Sequence, residues 1–229
     1  MGFDGHSSSD PSLRGLDVFV GAVSDPLAGL YCGSITQNGV IEAPRGSITL
    51  TGREIYQSGG LVSTTSVALN GRIDIQASFN AVPNRSTTTA TGSLFLFKNT
   101  GMVNLGLDSV IQILPEYDSK ETTIGTELAL RSKVNISGKT IRIGEASVLL
   151  APNAEVSLTS GNWFYELATP PRSTFVQSGG QVYIEKDAEI DVSGTLATPV
   201  SVTQNIVSVD LRSAELADSP LQRLSLIHI

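Results

Sequence analysis

Residues 128–158 read LALRSKVNISGKTIRIGEASVLLAPNAEVSL, and the spacing of their apolar pairs decides the fold. Leu128/Leu130, Val134/Ile136, Ile141/Ile143, Val148/Leu150 and Val156/Leu158 each place two apolar side chains two residues apart. That period aims both members of a pair at one face of an extended strand. The pairs start at 128, 134, 141, 148 and 156, six to eight residues apart. A meander of hairpins needs about 8–12 residues from one strand to the next, so these pairs recur too closely for one. A short strand, a bend and another short strand wound round three sides fits the spacing. Three such units give about 20–25 residues per coil, the period of a β-solenoid. Each strand would pair in parallel with its equivalents one coil above and below, about 4.8 Å away.

The same unit extends in both directions. It occurs as Ile48/Leu50, Val67/Leu69, Ile73/Ile75, Leu94/Leu96, Val103/Leu105 and Ile111/Ile113, and beyond 158 as Val182/Ile184, Ile190/Val192, Val200/Val202 and Val207/Val209/Leu211. Roughly nine or ten coils would then make a rod about 45 Å long. Gln57-Ser58-Gly59-Gly60 returns as Gln177-Ser178-Gly179-Gly180, which supports internal repetition. Asn38-Gly39, Asn70-Gly71, Ser137-Gly138 and Ser193-Gly194 fall between strands. They are expected to supply positive φ at the corners and, for the asparagines, side-chain ladders. Asn80–Thr91, Pro115–Thr126 and Thr169–Thr174 interrupt the pattern as polar or proline-bearing loops leaving the rod.

Three segments follow. Residues 1–25 form an irregular lead and residues 26–223 the repeat. The last six, Leu224 to Ile229, read as the translation of a sequencing-library transposase end, so the natural frame is expected to end near Arg223 as part of a longer chain.

Composition agrees with strands. The 229 residues include 28 Ser and 20 Thr, and Val, Ile and Thr together supply 56. Such β-branched side chains suit a pleated surface and lose rotamer freedom in a helix, which excludes a helical bundle. Hydrophobic residues at 40% and charged ones at 16% exclude a disordered tail. A net charge of −7 with 15 Lys plus Arg leaves no electrostatic footprint for nucleic acid or an anionic membrane. No apolar run approaches the ~20 residues of a transmembrane helix. Cys32 stands alone, so no intrachain disulfide and no cysteine-rich metal site is expected.

Gly39 to Ala77, with its Gly-x-Ile-x-Leu-like units, resembles filamentous-haemagglutinin-type exoproteins. Gly179–Gly194, carrying Val182-Tyr183-Ile184 and Ile190-Asp191-Val192-Ser193-Gly194, resembles them more closely, as does the ending Glu215-Leu216-Ala217-Asp218-Ser219-Pro220-Leu221-Gln222-Arg223. The specific match covers about 45 residues. The resemblance implies an all-β chain wound as a right-handed parallel β-helix. It also implies export through an outer-membrane two-partner transporter, and a place on or near the surface of a Gram-negative bacterium.

Motifs for chemistry are few. His6 lies in a Gly/Ser-rich lead, so a Ser/His/acid triad lacks a well-placed base, and Cys32 has none. There is no nucleophile elbow, phosphate loop or dinucleotide fingerprint, and no cofactor is expected. Two candidates remain. Asp187, Glu189 and Asp191 would line the outer face of one strand with Ala188, Ile190 and Val192 turned inward. The outer two carboxylates would be about 13 Å apart, too far for one cation without ligands from the next coil. Trp163-Phe164-Tyr165 cannot all face inward from a strand, so at least one ring should reach the surface or lie beneath Pro170-Pro171, where it could meet a sugar or a protein. Glu116, Asp118 and Glu121 with Lys120 form a mixed-charge loop, more in keeping with solubility than with acid–base work. The expected function is therefore a non-enzymatic stalk segment of a secreted adhesin-like exoprotein that contacts host or bacterial surface proteins or glycans. The alternatives are a β-helical polysaccharide lyase or hydrolase, marked by carboxylates converging from adjacent coils, and the stalk of a toxin-delivery exoprotein.

Overall fold

The computed structural model describes residues 15–19, 22–25, 29–66, 70–84, 95–116 and 131–194, and within them the chain is all-β, with no helix. Its strands visit three five-stranded sheets in strict rotation, and each return to a sheet adds a parallel neighbour. We call one passage through the three sheets a circuit.

The first circuit holds β1 (Gly15–Phe19), an antiparallel hairpin of β2 (Ala22–Asp25) and β3 (Gly29–Cys32), then β4 (Ser34–Gln37) and β5 (Val40–Ala43). The second holds β6 (Ser47–Thr51), β7 (Glu54–Gln57) and β8 (Gly60–Thr65). The third begins with β9 (Arg72–Gln76). It leaves the sheets through β10 (Ser78–Phe79), β11 (Val82–Pro83), β12 (Phe95–Leu96) and β13 (Asn99–Thr100), and resumes with β14 (Met102–Leu105) and β15 (Val110–Pro115). The fourth is β16 (Lys133–Gly138), β17 (Thr140–Ile143) and β18 (Val148–Leu150). The fifth is β19 (Glu155–Ser160), the hairpin β20 (Asn162–Glu166) and β21 (Arg172–Val176), then β22 (Gln181–Ile184) and β23 (Glu189–Asp191). The first sheet thus stacks β1, β6, β9, β16 and β19. The second stacks β4, β7, β14, β17 and β22, and the third β5, β8, β15, β18 and β23.

Register explains why the apolar pairs matter. Ile48, Ile73, Val134 and Val156 align in one column of the first sheet, and Leu50, Ile75, Ile136 and Leu158 in the next. Ile35, Ile55, Val103, Ile141 and Val182 align in the second sheet. Ile41, Leu61, Ile111, Leu149 and Ile190 align in the third. Apart from the exposed Val182, these columns meet in a single core. A fully buried Ile, Leu or Val contributes about 1.5–3 kcal/mol, so the columns supply the main driving force. Where strands are separated only by corners, the return is short: β4 and β7 start at Ser34 and Glu54, twenty residues apart, and β16 and β19 at Lys133 and Glu155, twenty-two apart.

Several sequence expectations need correction. In β18 the inward residue is Leu149, with Val148 and Leu150 half-buried beside it. The turn before the strand sets this parity, because Ser147 takes the inward position and 149 and 151 follow. Leu96 is buried in an antiparallel pairing with Val82, outside the three sheets. Val192 lies past the end of β23 and is 45% exposed. The lead through Asp25 contains β1, which is paired to β6. Arg172–Thr174 is strand, and the described residues make five circuits, since hairpins consume chain that a bare coil would have used. Val67/Leu69, Leu128/Leu130, Val200/Val202, Val207/Val209/Leu211 and the tail lie outside the described residues.

The corners work differently from the expectation too. Gly39, Gly71, Gly138 and Gly194 do not adopt a left-handed φ. Non-glycine residues do so, at the third position of five four-residue turns: Arg45, Asp108, Ala146, Asn153 and Asp187. Each turn is closed by an N–H reaching back to its first carbonyl, as from Gly46 to Ala43 at 3.0 Å and from Ser147 to Gly144 at 3.2 Å. Glycine is needed instead for close approach. A Cβ on Gly59 would lie 1.9 Å from the Gly39 carbonyl oxygen, in the corner one circuit away. Asn38 and Asn70 occupy different corners and so form no ladder with one another. The two Gln-Ser-Gly-Gly strings also sit at different corners, the first between β7 and β8 and the second between β21 and β22, so they do not mark equivalent positions.

Candidate functional site

One edge of the stack departs from regularity. The corner leading from the first sheet to the second is tight in the second and fourth circuits, where only Gly52-Arg53 and Lys139 span it. In the first, third and fifth circuits it opens into antiparallel excursions, β2–β3, β10–β13 and β20–β21. Alternate circuits are about 10 Å apart, which is also the distance at which two β-sheets pack face to face. Hairpins leaving every second circuit therefore have room to stack on each other. The third-circuit excursion is clamped at its base by the Gly101 N–H donating to the Ala77 carbonyl at 2.6 Å.

The second and third hairpins are joined through Trp163. Its ring lies 5.6 Å from Phe97 and 5.3 Å, edge-on, from Phe175. Its indole Nε1 donates to Ser78 Oγ at 2.8 Å and its backbone N–H to Thr100 Oγ1 at 2.7 Å. Ser173 Oγ donates to the Phe97 carbonyl at 2.7 Å, and Lys98 Nζ sits 4.8 Å from the centre of the Tyr165 ring. Strand alternation then sends Phe164 the other way. It is 50% exposed, with Val176 at 39% on the same hairpin and Leu167 at 90% near its tip. The Glu166–Arg172 ion pair, at 2.6 Å, flanks these apolar groups.

Of the aromatic run singled out in the sequence, Trp163 and Tyr165 thus serve the joint between hairpins and Phe164 faces solvent. The carboxylates of Asp187, Glu189 and Asp191 are not brought together. Asp187 is a turn residue beside Lys186, at 3.3 Å, and Glu189 is exposed. Asp191 accepts the Ser193 N–H at 2.8 Å. Hydrogen bonds from the Ser193 hydroxyl and backbone hold the Asp191 carboxyl below its ordinary value of 3.8. Among the described residues no group of three His, Cys, Asp or Glu side chains is placed to hold a metal ion. Glu116 is tied to Thr64 and Arg45, the latter at 3.4 Å. Cys32 ends β3 opposite Ala22. His6, Asp118, Lys120 and Glu121 lie outside the described residues. No helix among the described residues is long and apolar enough to cross a membrane.

Sequence reading missed Phe97, Phe175, Ser78 and Thr100 as parts of this edge. The run Leu94-Phe95-Leu96-Phe97 carried a signal, since two bulky rings alternate with leucines and so give no solvent face. Comparison with known proteins adds no neighbour: no protein-family model, curated protein or solved structure matches this chain.

Proposed function

We propose that this chain is a segment of a right-handed parallel β-helix, about 20–25 residues per coil, that serves as the stalk of a secreted adhesin-like exoprotein of a Gram-negative bacterium. The rotation of strands through three in-register parallel sheets supports the architecture, and the resemblance of Gly39–Ala77 and Gly179–Gly194 to filamentous-haemagglutinin-type proteins supports the assignment. Export through an outer-membrane two-partner transporter belongs to the same reading. The stalk is not an enzyme. It attaches through many weak contacts, repeated along a stiff body, so that linked sites reinforce one another.

One observation carries the binding role: hairpins leave a single edge on alternate circuits, and the fifth-circuit hairpin turns Phe164, Leu167 and Val176 outward. A rigid body that repeats loops along one side presents a ready surface for a protein or glycan. The test is attachment of beads coated with the chain to bacterial and epithelial cells. The wild type is expected to adhere, and a Phe164→Ser/Leu167→Ser/Val176→Thr variant with the same circular dichroism is expected to lose most of that adhesion. Equal adhesion by both proteins, or none by the wild type, would remove the binding role.

A further inference from the structure

Beside the hairpin edge, on the second sheet, lies a cavity of about 270 Å³ lined by Arg53, Phe79, Gly101, Met102, Lys139 and their neighbours. Its layout follows from register. Glu54, Met102 and Thr140 stack in one column, so the residues before them, Arg53, Gly101 and Lys139, stack at the corner. The backbone confirms the order: Met102 N–H donates to the Arg53 carbonyl at 2.9 Å and Lys139 N–H to the Gly101 carbonyl at 2.7 Å. The backbones of two cationic residues therefore stand about 10 Å apart with a glycine between them. No side chain can fill that middle level, because a Cβ on Gly101 would lie 1.6 Å from the Arg53 carbonyl oxygen.

The two cations are held differently. Arg53 lies over the Phe79 ring, 5.9 Å from its centre, and 3.5 Å from Glu54. Lys139 is exposed and has no ion-pair partner among the described residues. Two positive groups against the single carboxylate of Glu54 leave the slot one positive charge in excess, in a chain whose net charge is −7. A monoanion matches that excess and a dianion overshoots it. The walls add a second constraint. Phe79 and the 37%-exposed Met102 offer apolar surface next to the hydroxyls of Thr100 and Thr140. The volume lies just below the ~300 Å³ lower end of ligand pockets, which limits the occupant to about one ring.

We infer that the slot over Gly101 binds a carboxylated sugar, a uronic-acid unit of an acidic glycan, with Lys139 and Arg53 reaching its carboxylate from either side. A guanidinium and an ammonium favour a carboxylate through charge-assisted hydrogen bonds. The apolar wall takes the C–H face of the ring, and the two threonines meet its hydroxyls. This site is distinct from the outward face of Phe164 and stands whether or not the hairpin edge is adhesive.

The chain holds one tryptophan, and the backbone N–H of Trp163 is bonded to Thr100 in the slot wall, so its fluorescence should report occupancy. The full chain is titrated with D-glucuronate, D-glucose, acetate and inorganic phosphate, by fluorescence and by calorimetry. Glucuronate is expected to saturate, with glucose silent and acetate and phosphate at least tenfold weaker. Loss of one charged hydrogen bond costs about tenfold or more, so Lys139→Gln and Arg53→Gln should each weaken glucuronate by about that factor, while Lys139→Arg retains it. Glucose or acetate matching glucuronate overturns the carboxylated-sugar assignment, and so does phosphate binding tighter. No saturation in calorimetry, or unchanged affinity in Lys139→Gln, overturns the site. Cell attachment of the Lys139→Gln protein separates the two ideas, since loss of the slot leaves the Phe164 face intact.

Discussion

Two residue-level devices carry the corners, and each answers a backbone problem. In the first two circuits the passage from second to third sheet is short, Asn38-Gly39 and Ser58-Gly59, and the inward strand-end residue is a glutamine. Gln37 Nε2 donates to the Gly39 carbonyl and Gln57 Nε2 to the Gly59 carbonyl, at 2.5 and 2.6 Å. In later circuits the corner is a self-closed four-residue turn, and the equivalent residues are Leu105, Ile143 and Ile184. Those carbonyls also accept an N–H from the next circuit, Gly60 to Gly39 at 2.9 Å and Val110 to Gly59 at 3.0 Å, so each amide adds a second donor that ties the buried glutamine to its corner. Close approach is the second device. Gly59→Ala drives a methyl into backbone and should cost about 3 kcal/mol, the upper range for overpacking. Gly39→Ala has nothing within 4 Å of its new Cβ and should stay within about 0.5 kcal/mol of wild type. Urea denaturation of the two variants decides the point, and similar losses would contradict the close-approach account. Asp191 makes a pH statement at the same scale. Its folded pKa is depressed, so its contribution is complete above the unfolded value near 3.8 and fades as pH falls through the folded one. Carbon-detected NMR should place its midpoint below 3.8, and Ser193→Ala should move that midpoint upward; an unshifted wild-type midpoint would count against the Ser193 contact.

Among elements, the hairpins are the least autonomous. A two-stranded hairpin is marginal alone in water, and β20–β21 gains its stability from Trp163 seated against Phe97 and Phe175. Trp163→Ala removes that burial and the bond to Ser78, a loss of about 3–5 kcal/mol by analogy with other core aromatics. The cost should fall on the hairpin. Hydrogen exchange at 162–176 is expected to accelerate by orders of magnitude while exchange in β16 and β17 stays slow, because local openings are separable from global unfolding. Uniform acceleration would mean that the hairpin is an integral part of the core. This division also explains what could be read from sequence. Val134/Ile136 and Ile141/Ile143 announced their strands because parity within a strand is local. Val148-Leu149-Leu150 did not, since three apolar residues in a row leave parity to the preceding turn. The Trp163 joint was illegible for a different reason. Phe97 and Ser78 lie 66 and 85 residues before it, and only the circuit count brings them together. The two inward glutamines were hidden as well, because a polar residue at a core position breaks the pattern used to find it.

For the whole molecule, the chief consequence of stacking is that within the three sheets each circuit pairs only with its neighbours, the Trp163 joint between the third and fifth circuits lying outside them. Stability in such an arrangement is close to a sum of circuit and interface terms, so the price of a defect depends on its position along the stack. Ile141 and Ile184 lie on the same inward face of the second sheet, one circuit apart. Ile141 is fully buried, with Val103 on one side and Val182 on the other, whereas Ile184 is 51% exposed. Ile141→Lys places an unpaired charge between two neighbours and should cost more than about 4 kcal/mol, splitting the stack in the middle. Ile184→Lys can lay its stem along Ile143 and extend the ammonium into water, so it should cost about 1 kcal/mol or less. Guanidinium melts followed by circular dichroism measure both. The Ile141 variant should lose its cooperative transition or shift it far down, and the Ile184 variant should melt near wild type. Comparable losses for the two would mean that the described circuits are held by something other than contact with their neighbours.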